Sequence, residues 1–164
     1  LMNRTTQQQM TGLIAWLAVT FLAAAFGAFA SASAPSFYSE LVRPVWAPPA
    51  WLFGPVWSVL YLLMGIAAWL VWRHEAWQKA RLALCLYLLQ LALNALWTWL
   101  FFVWHVGSIA SFEIVLLWLM IVATIYQFGR LHKLSAWLLA PYLLWVSFAT
   151  ALSFAMWRLN PALL

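Results

Sequence analysis

The chain has 164 residues, of which 68% are hydrophobic, 18% aromatic and only 7% charged. A water-soluble domain of this length would need far more charge to cover its surface, so the composition excludes a soluble globular protein and points to lipid as the solvent. The net charge of +5 does not signal nucleic acid, because the eight Lys and Arg are scattered singly between apolar runs and form no stripe that could track phosphates.

The first apolar run, residues 10–30, follows Arg4 in the manner of a secretory leader. At ~1.5 Å per residue it reaches roughly 30 Å, which is enough to cross a bilayer. Within it Ala23, Gly27 and Ser31 form a small-residue stripe at steps of four, suited to close helix approach inside one chain or between two copies. Residues 31–54 carry Pro35, Pro44, Pro48 and Pro49 and run into Pro55. A continuous helix is excluded there, and an ordered or semi-ordered loop, a candidate lid, is expected.

Further runs at 55–72, 82–104, 109–128 and 134–157 complete five predicted transmembrane helices. Strands are a poor alternative, since the runs lack alternation and are rich in Leu and Ala. The fold class is therefore an all-α, multi-pass integral membrane protein. Short connections between the last four runs make consecutive helices antiparallel neighbours, which implies one bundle and a single domain over residues 1–164. Arg4, Arg73, Lys79, Arg81, Arg130 and Lys133 fall on the side of the N-terminus, and Arg43 and Arg158 on the other. In a bacterial inner membrane this bias places the N-terminus in the cytoplasm and the long loop outside. Trp46, Trp51, Trp72, Trp77, Trp104, Trp137 and Trp157 lie near span ends, where an interfacial belt is expected.

The third run places Tyr87, Gln90, Asn94, Trp97 and Phe101 on one helix face. Its two amides need partners in hydrocarbon, either on a neighbouring helix or on a ligand. In the fifth run Trp145, Ala149, Ser153 and Met156 share a face on which a large ring beside small residues leaves room for a planar guest. In the second, Trp57 and Tyr61 stand one turn apart after Gly54 and Pro55. Glu113 is the one acid inside a predicted span, and a structural partner or snorkelling to the interface is expected for it. His74, His105 and His132 lie at separate helix ends without ligand-like spacing, and Cys85 is the only cysteine, so no metal or axial haem site is legible.

One block reads Phe37-Tyr38-x-x-Leu41-x-Arg43-Pro44-x-Trp46-x-Pro48-Pro49-x-Trp51-x-x-Gly54-Pro55-Val56-Trp57-x-x-Leu60-Tyr61. With Gln90-Leu91-x-Leu93-Asn94-x-x-Trp97, Pro141-Tyr142-Leu143-x-Trp145-Val146-x-Phe148-Ala149 and Trp157-Arg158-x-Asn160, it closely resembles the translocator protein family, also called tryptophan-rich sensory protein or peripheral benzodiazepine receptor. The resemblance covers almost the whole chain after the first span. It implies a five-helix bundle, usually a homodimer, in a bacterial cell membrane or a mitochondrial outer membrane. It also implies a pocket beneath the first loop that takes porphyrins, haem included, or sterols and benzodiazepine-site ligands. No cofactor is obligatory.

By that resemblance the pocket comprises Tyr38, Trp46, Pro48, Pro49, Trp57, Gln90, Asn94, Trp97, Trp145, Ala149 and Leu152, to which helical spacing adds Tyr61, Phe101 and Ser153. Trp57 and Trp145 match the tryptophans that act in porphyrin-degrading members. The family often has Asn at the position of Ser153, and its animal members have Tyr at that of Phe154 within their sterol-recognition stretch. Three roles follow: a receptor or sensor for tetrapyrroles, a light-dependent porphyrin-degrading enzyme, or a carrier of porphyrin or sterol. The absence of inverted repeats ranks the carrier last.

Overall fold

The computed structural model describes residues 3–164. Among them are five helices long and apolar enough to cross a membrane, and a sixth, short helix inside the first loop. The spans are α1 (Thr6–Ala30), α3 (Phe53–His74), α4 (Trp77–Thr98), α5 (Gly107–Leu131) and α6 (Lys133–Leu159), and the short helix is α2 (Ala34–Glu40). The chain is thus an integral, multi-pass membrane protein, as its hydropathy requires.

The ends of the helices depart from the hydropathy limits for local reasons. α1 begins four residues earlier than the apolar run because Thr5 and Gln8 form a capping box, in which each side chain binds the other's backbone N–H. α2 starts at Ala34 and carries Pro35 as its second residue, which fits a first helical turn because its missing N–H would have no partner there. α4 starts at Trp77, ahead of the apolar run that begins at residue 82, since Gln78, Lys79 and Arg81 are good helix formers whose polar heads lie outside the hydrocarbon. At its other end α4 widens into a π turn over Trp99–Val103, closed by the Trp104 N–H to Trp99 C=O bond of 2.9 Å. The chain then reverses at His105, whose φ of 52° lies in the left-handed region that histidine enters more readily than most side chains.

The spans close into a ring in the spatial order α1, α3, α6, α5, α4. Sequence proximity alone suggests that α3 and α4, joined by two residues, pack as neighbours. Instead α1 is wedged between them, because small residues on both sides let backbones approach. Gly65 of α3 receives Leu17, where an added Cβ would lie 2.7 Å from the leucine methyl, and Gly27 of α1 lies against Thr98 of α4. The Ala23-Gly27-Ser31 stripe therefore serves packing within the chain at Gly27, while Ser31 bonds back to the Gly27 carbonyl at 2.8 Å. The Trp69 indole of α3 donates to the Gln9 carbonyl of α1 at 2.8 Å.

At the N-terminal side of the ring, Met64, Leu84, Tyr87, Ile121, Phe128 and Leu139 are fully buried and fill the interior. Thr20 and Tyr87 share a buried hydrogen bond between α1 and α4. His74 and His132, which the sequence assigns to separate loops, stack at 4.6 Å at this end. Trp46, Trp51, Trp77, Trp104 and Trp137 are exposed near helix ends, as an interfacial belt requires, whereas Trp72 lies under the Arg4 guanidinium at 3.8 Å and packs on Gly12.

The loop after α1 is tied down over the opposite end of the ring. The Asn160 side chain, at the C-terminus of α6, accepts from the Val42 N–H at 2.7 Å and donates to the Val42 and Met156 carbonyls at 2.9 and 2.8 Å. The Phe37 ring stacks on His105 at 4.1 Å, and the Tyr38 hydroxyl donates to the Pro48 carbonyl at 2.6 Å. Asn160→Ala removes both bonds that hold Val42. Hydrogen exchange in segment 41–52 is expected to quicken by about tenfold, the factor that corresponds to about 1.4 kcal/mol of lost local stability.

Candidate functional site beneath the first loop

Beneath the tied loop, two tyrosines and two amides from three helices form one buried network. The Tyr61 hydroxyl of α3 donates to Asn94 Oδ1 at 2.9 Å, and Asn94 Nδ2 donates to the Tyr142 hydroxyl of α6 at 2.8 Å. That hydroxyl in turn donates to Gln90 Oε1 at 2.6 Å. Of the two roles the sequence left open for the amides, helix-to-helix bonding accounts for most of their hydrogen-bonding capacity. Gln90 Nε2 is left over, buried and without a partner among the described residues.

Above the network the rings gather. Trp57 packs on Tyr61 at 5.5 Å and meets Tyr142 and Trp145 edge-to-face at 6.1 and 6.4 Å. Trp145 also touches Phe53 at 5.9 Å and Phe148 at 5.5 Å, and Phe148 carries Trp46 on its outer side at 5.7 Å. On α4 the Trp97 and Phe101 rings stack at 5.1 Å. Leu152, Phe101 and Tyr38 belong to one buried cluster with Phe37 and Leu41, against which Trp97 also packs. The indole N–H groups of Trp97 and Trp145 are buried and unpartnered among the described residues.

Tyr38 is 4% exposed, with the Arg43 guanidinium 4.8 Å over its ring. Burial raises its phenol above the ordinary tyrosine range, and the Arg43 charge partly offsets this.

The structure thus brings Tyr38, Trp57, Tyr61, Gln90, Asn94, Trp97, Phe101, Trp145 and Leu152 to the loop-side half of the ring. Ala149, half-buried, packs against the same core. Trp46 stands at the rim, half exposed, and Pro49 is exposed beside it, while Pro48 contributes its carbonyl to Tyr38. Ser153 is turned toward α5 and shares a hydrogen bond with Ser111 at 3.2 Å. The open slot expected beside Trp145 is filled: Phe53, Trp57 and Phe148 lie against that ring in this closed arrangement. Two cavities of about 810 and 470 Å³ lie elsewhere, the first around Arg4, Gly12 and Trp72 and the second in the α1–α4 groove at Ala23, Phe26 and Trp99.

Sequence reasoning singled out neither Tyr142 nor Phe53 as a site residue. Tyr142 could have been found, since it precedes Trp145 by three residues and so shares its helix face. The partner expected for Glu113 is not made: the side chain is buried, and both carboxyl oxygens lack a hydrogen bond among the described residues.

Fold and site together define a multi-pass helical membrane protein with a packed, amide-bearing aromatic cluster beneath an ordered loop. The sequence matches the TspO/MBR family over residues 14–158, and the chain belongs to that family. It is 42% identical over 127 residues to the tryptophan-rich protein TspO of Chlorobaculum tepidum, covering 76% of this chain and 80% of that protein. Protein CrtK of Rhodobacter capsulatus is 41% identical over 150 residues, with 88% and 92% covered. The translocator protein of Homo sapiens is 39% identical over 126 residues, with 76% and 75% covered.

Proposed function

We propose that the protein is a membrane receptor or sensor that binds porphyrins and related flat, hydrophobic molecules in the chamber beneath the first loop. The observation that carries this reading is the set of buried donors left without partners, Gln90 Nε2 and the indole N–H groups of Trp97 and Trp145, in a wall otherwise made of aromatic rings. Rings supply stacking area for a macrocycle, and the spare donors supply contacts for carbonyl or carboxylate groups at its edge. Because Phe53, Trp57 and Phe148 lie against Trp145 in the closed arrangement, entry requires these rings and the loop tied by Asn160 to move apart.

Titration of the purified protein with protoporphyrin is expected to quench tryptophan fluorescence to saturation at a fixed stoichiometry. Trp145→Ala is expected to weaken the affinity by about tenfold or more, through lost stacking area. Quenching that rises linearly without saturating, in both proteins, would remove the reading.

The 6.4 Å edge-to-face contact of Trp57 with Trp145 favours a second reading, light-dependent oxidative breakdown of bound porphyrin with dioxygen as the oxidant and these two indoles as redox partners. Under that reading Trp57→Phe binds the pigment normally but no longer bleaches it.

A further inference from the structure

Glu113 is 9% exposed, and both of its carboxyl oxygens lack a partner among the described residues. An unbonded carboxyl inside a membrane span is costly whichever protonation state it holds. What it faces follows from its neighbours in α5. Ser111 bonds to Ser153, and Phe112 touches Phe154 and Trp157 at 5.9 and 6.2 Å, so residues 111 and 112 mark the flank of α5 that meets α6. Glu113 is turned about 200° from Ser111 around the helix, which carries it to the other flank of the buried face, against α4.

Its depth follows from the rise per residue. Glu113 stands six residues after Gly107, the start of α5, and Trp97 stands six residues before Val103, where the π turn ends. The two helices are antiparallel and adjacent, so both side chains lie about 9 Å in from the loop side. On α4, Leu91, Ala95 and Trp99 line the groove with α1, and Trp97, about 200° on from Ala95, lies on the flank turned away from α1. One level of the α4–α5 side therefore holds a buried acceptor, the Glu113 carboxyl, and a buried donor, the Trp97 indole N–H, with no hydrogen bond between them.

We propose that Glu113 and Trp97 form a two-point site for a hydroxyl group carried on the rim of the planar ligand. The hydroxyl O–H donates to a Glu113 oxygen while its own oxygen accepts from the Trp97 N–H. An ammonium group would satisfy Glu113 alone, and a carboxylate edge would satisfy Trp97 alone. A hydroxyl satisfies both, and its O–H finds an acceptor in the carboxyl ionised or not. The Trp97 ring, stacked on Phe101, places this pair beside the aromatic wall of the chamber, so the ligand's apolar body and its hydroxyl are held together. The inference rests on the reading of the chamber as a porphyrin site and adds what selects among such ligands.

The test compares mesoporphyrin with haematoporphyrin, which share the macrocycle and both propionates and differ by two ethyl groups against two hydroxyethyl groups. Affinities are measured by tryptophan quenching with the full chain in one detergent. Each variant is scored by its ratio of the two affinities relative to that of the wild type, which cancels differences in detergent partition. The hydroxyethyl preference is expected to fall by about tenfold or more in Glu113→Leu and again in Trp97→Phe, which keeps the ring and loses the N–H. Because Trp97 also lines the chamber, mesoporphyrin affinity itself is free to fall in Trp97→Phe, and only the ratio is read for the hydroxyl site. Saturable mesoporphyrin binding with an unchanged ratio in both variants would overturn the hydroxyl site and leave the porphyrin reading intact. Failure of mesoporphyrin to saturate in the wild type would overturn both.

Discussion

Gly12→Val is expected to destabilise the purified protein by about 2–3 kcal/mol, the upper part of the range for forcing extra carbons into a packed contact. A Cβ at Gly12 would fall on the Trp72 indole, so the ring cannot stay where it is. Two further contacts depend on that ring. Arg4 lies over it at 3.8 Å, and α1 is held against α3 partly through it. Thermal unfolding in detergent measures the loss, and a double-mutant cycle assigns it. In a Trp72→Ala background the same glycine replacement should cost little, since the space it needs is then free. An equal penalty in both backgrounds would mean that the cost lies in the helix backbone and that the Gly12–Trp72 contact does not matter.

Tyr142→Phe is the second large effect. The lost hydroxyl is the centre of the buried network, accepting from Asn94 Nδ2 and donating to Gln90 Oε1, so one oxygen removed leaves those two amide atoms without partners. The expected loss is about 1–3 kcal/mol, with the lower part favoured by the modest worth of single hydrogen bonds between membrane helices. Tyr61→Phe removes one bond only, to Asn94 Oδ1, and should cost about half as much. A smaller loss in Tyr142→Phe than in Tyr61→Phe, by thermal unfolding, would contradict this network.

Both predictions concern contacts that hydropathy does not reveal. The five spans were legible because lipid allows few alternatives: long apolar runs must be helices, and cations flank them. Their lateral order was not, because it depends on where small residues meet, as at Gly65 with Leu17 and Gly27 with Thr98, and apolar periodicity is silent on that. The proline-rich stretch announced a break in helix but not α2, seven residues long and held by Phe37 and Tyr38 contacts that exist only in the folded chain.

Within the site, the amides and tryptophans were legible as unusual groups at helical spacing. Their use was not, since Gln90 and Asn94 are mostly taken up by Tyr61 and Tyr142 on other spans. Glu113 was expected to find a partner or to snorkel to the interface, and the fold buries it without a partner among the described residues. Ser153 illustrates the limit of face counting. It stands eight residues after Trp145, yet it is already turned far enough to bond Ser111 instead of joining the rings.

The placement of α6 between α3 and α5 has a bearing on biogenesis. Until α6 leaves the translocation machinery, Gln90 and Asn94 have no Tyr142 to meet, and the circle of helices has a gap through which acyl chains reach two amides. Nascent chains halted before Lys133 should therefore be recognised by membrane quality control as unfinished, however well their earlier segments have inserted.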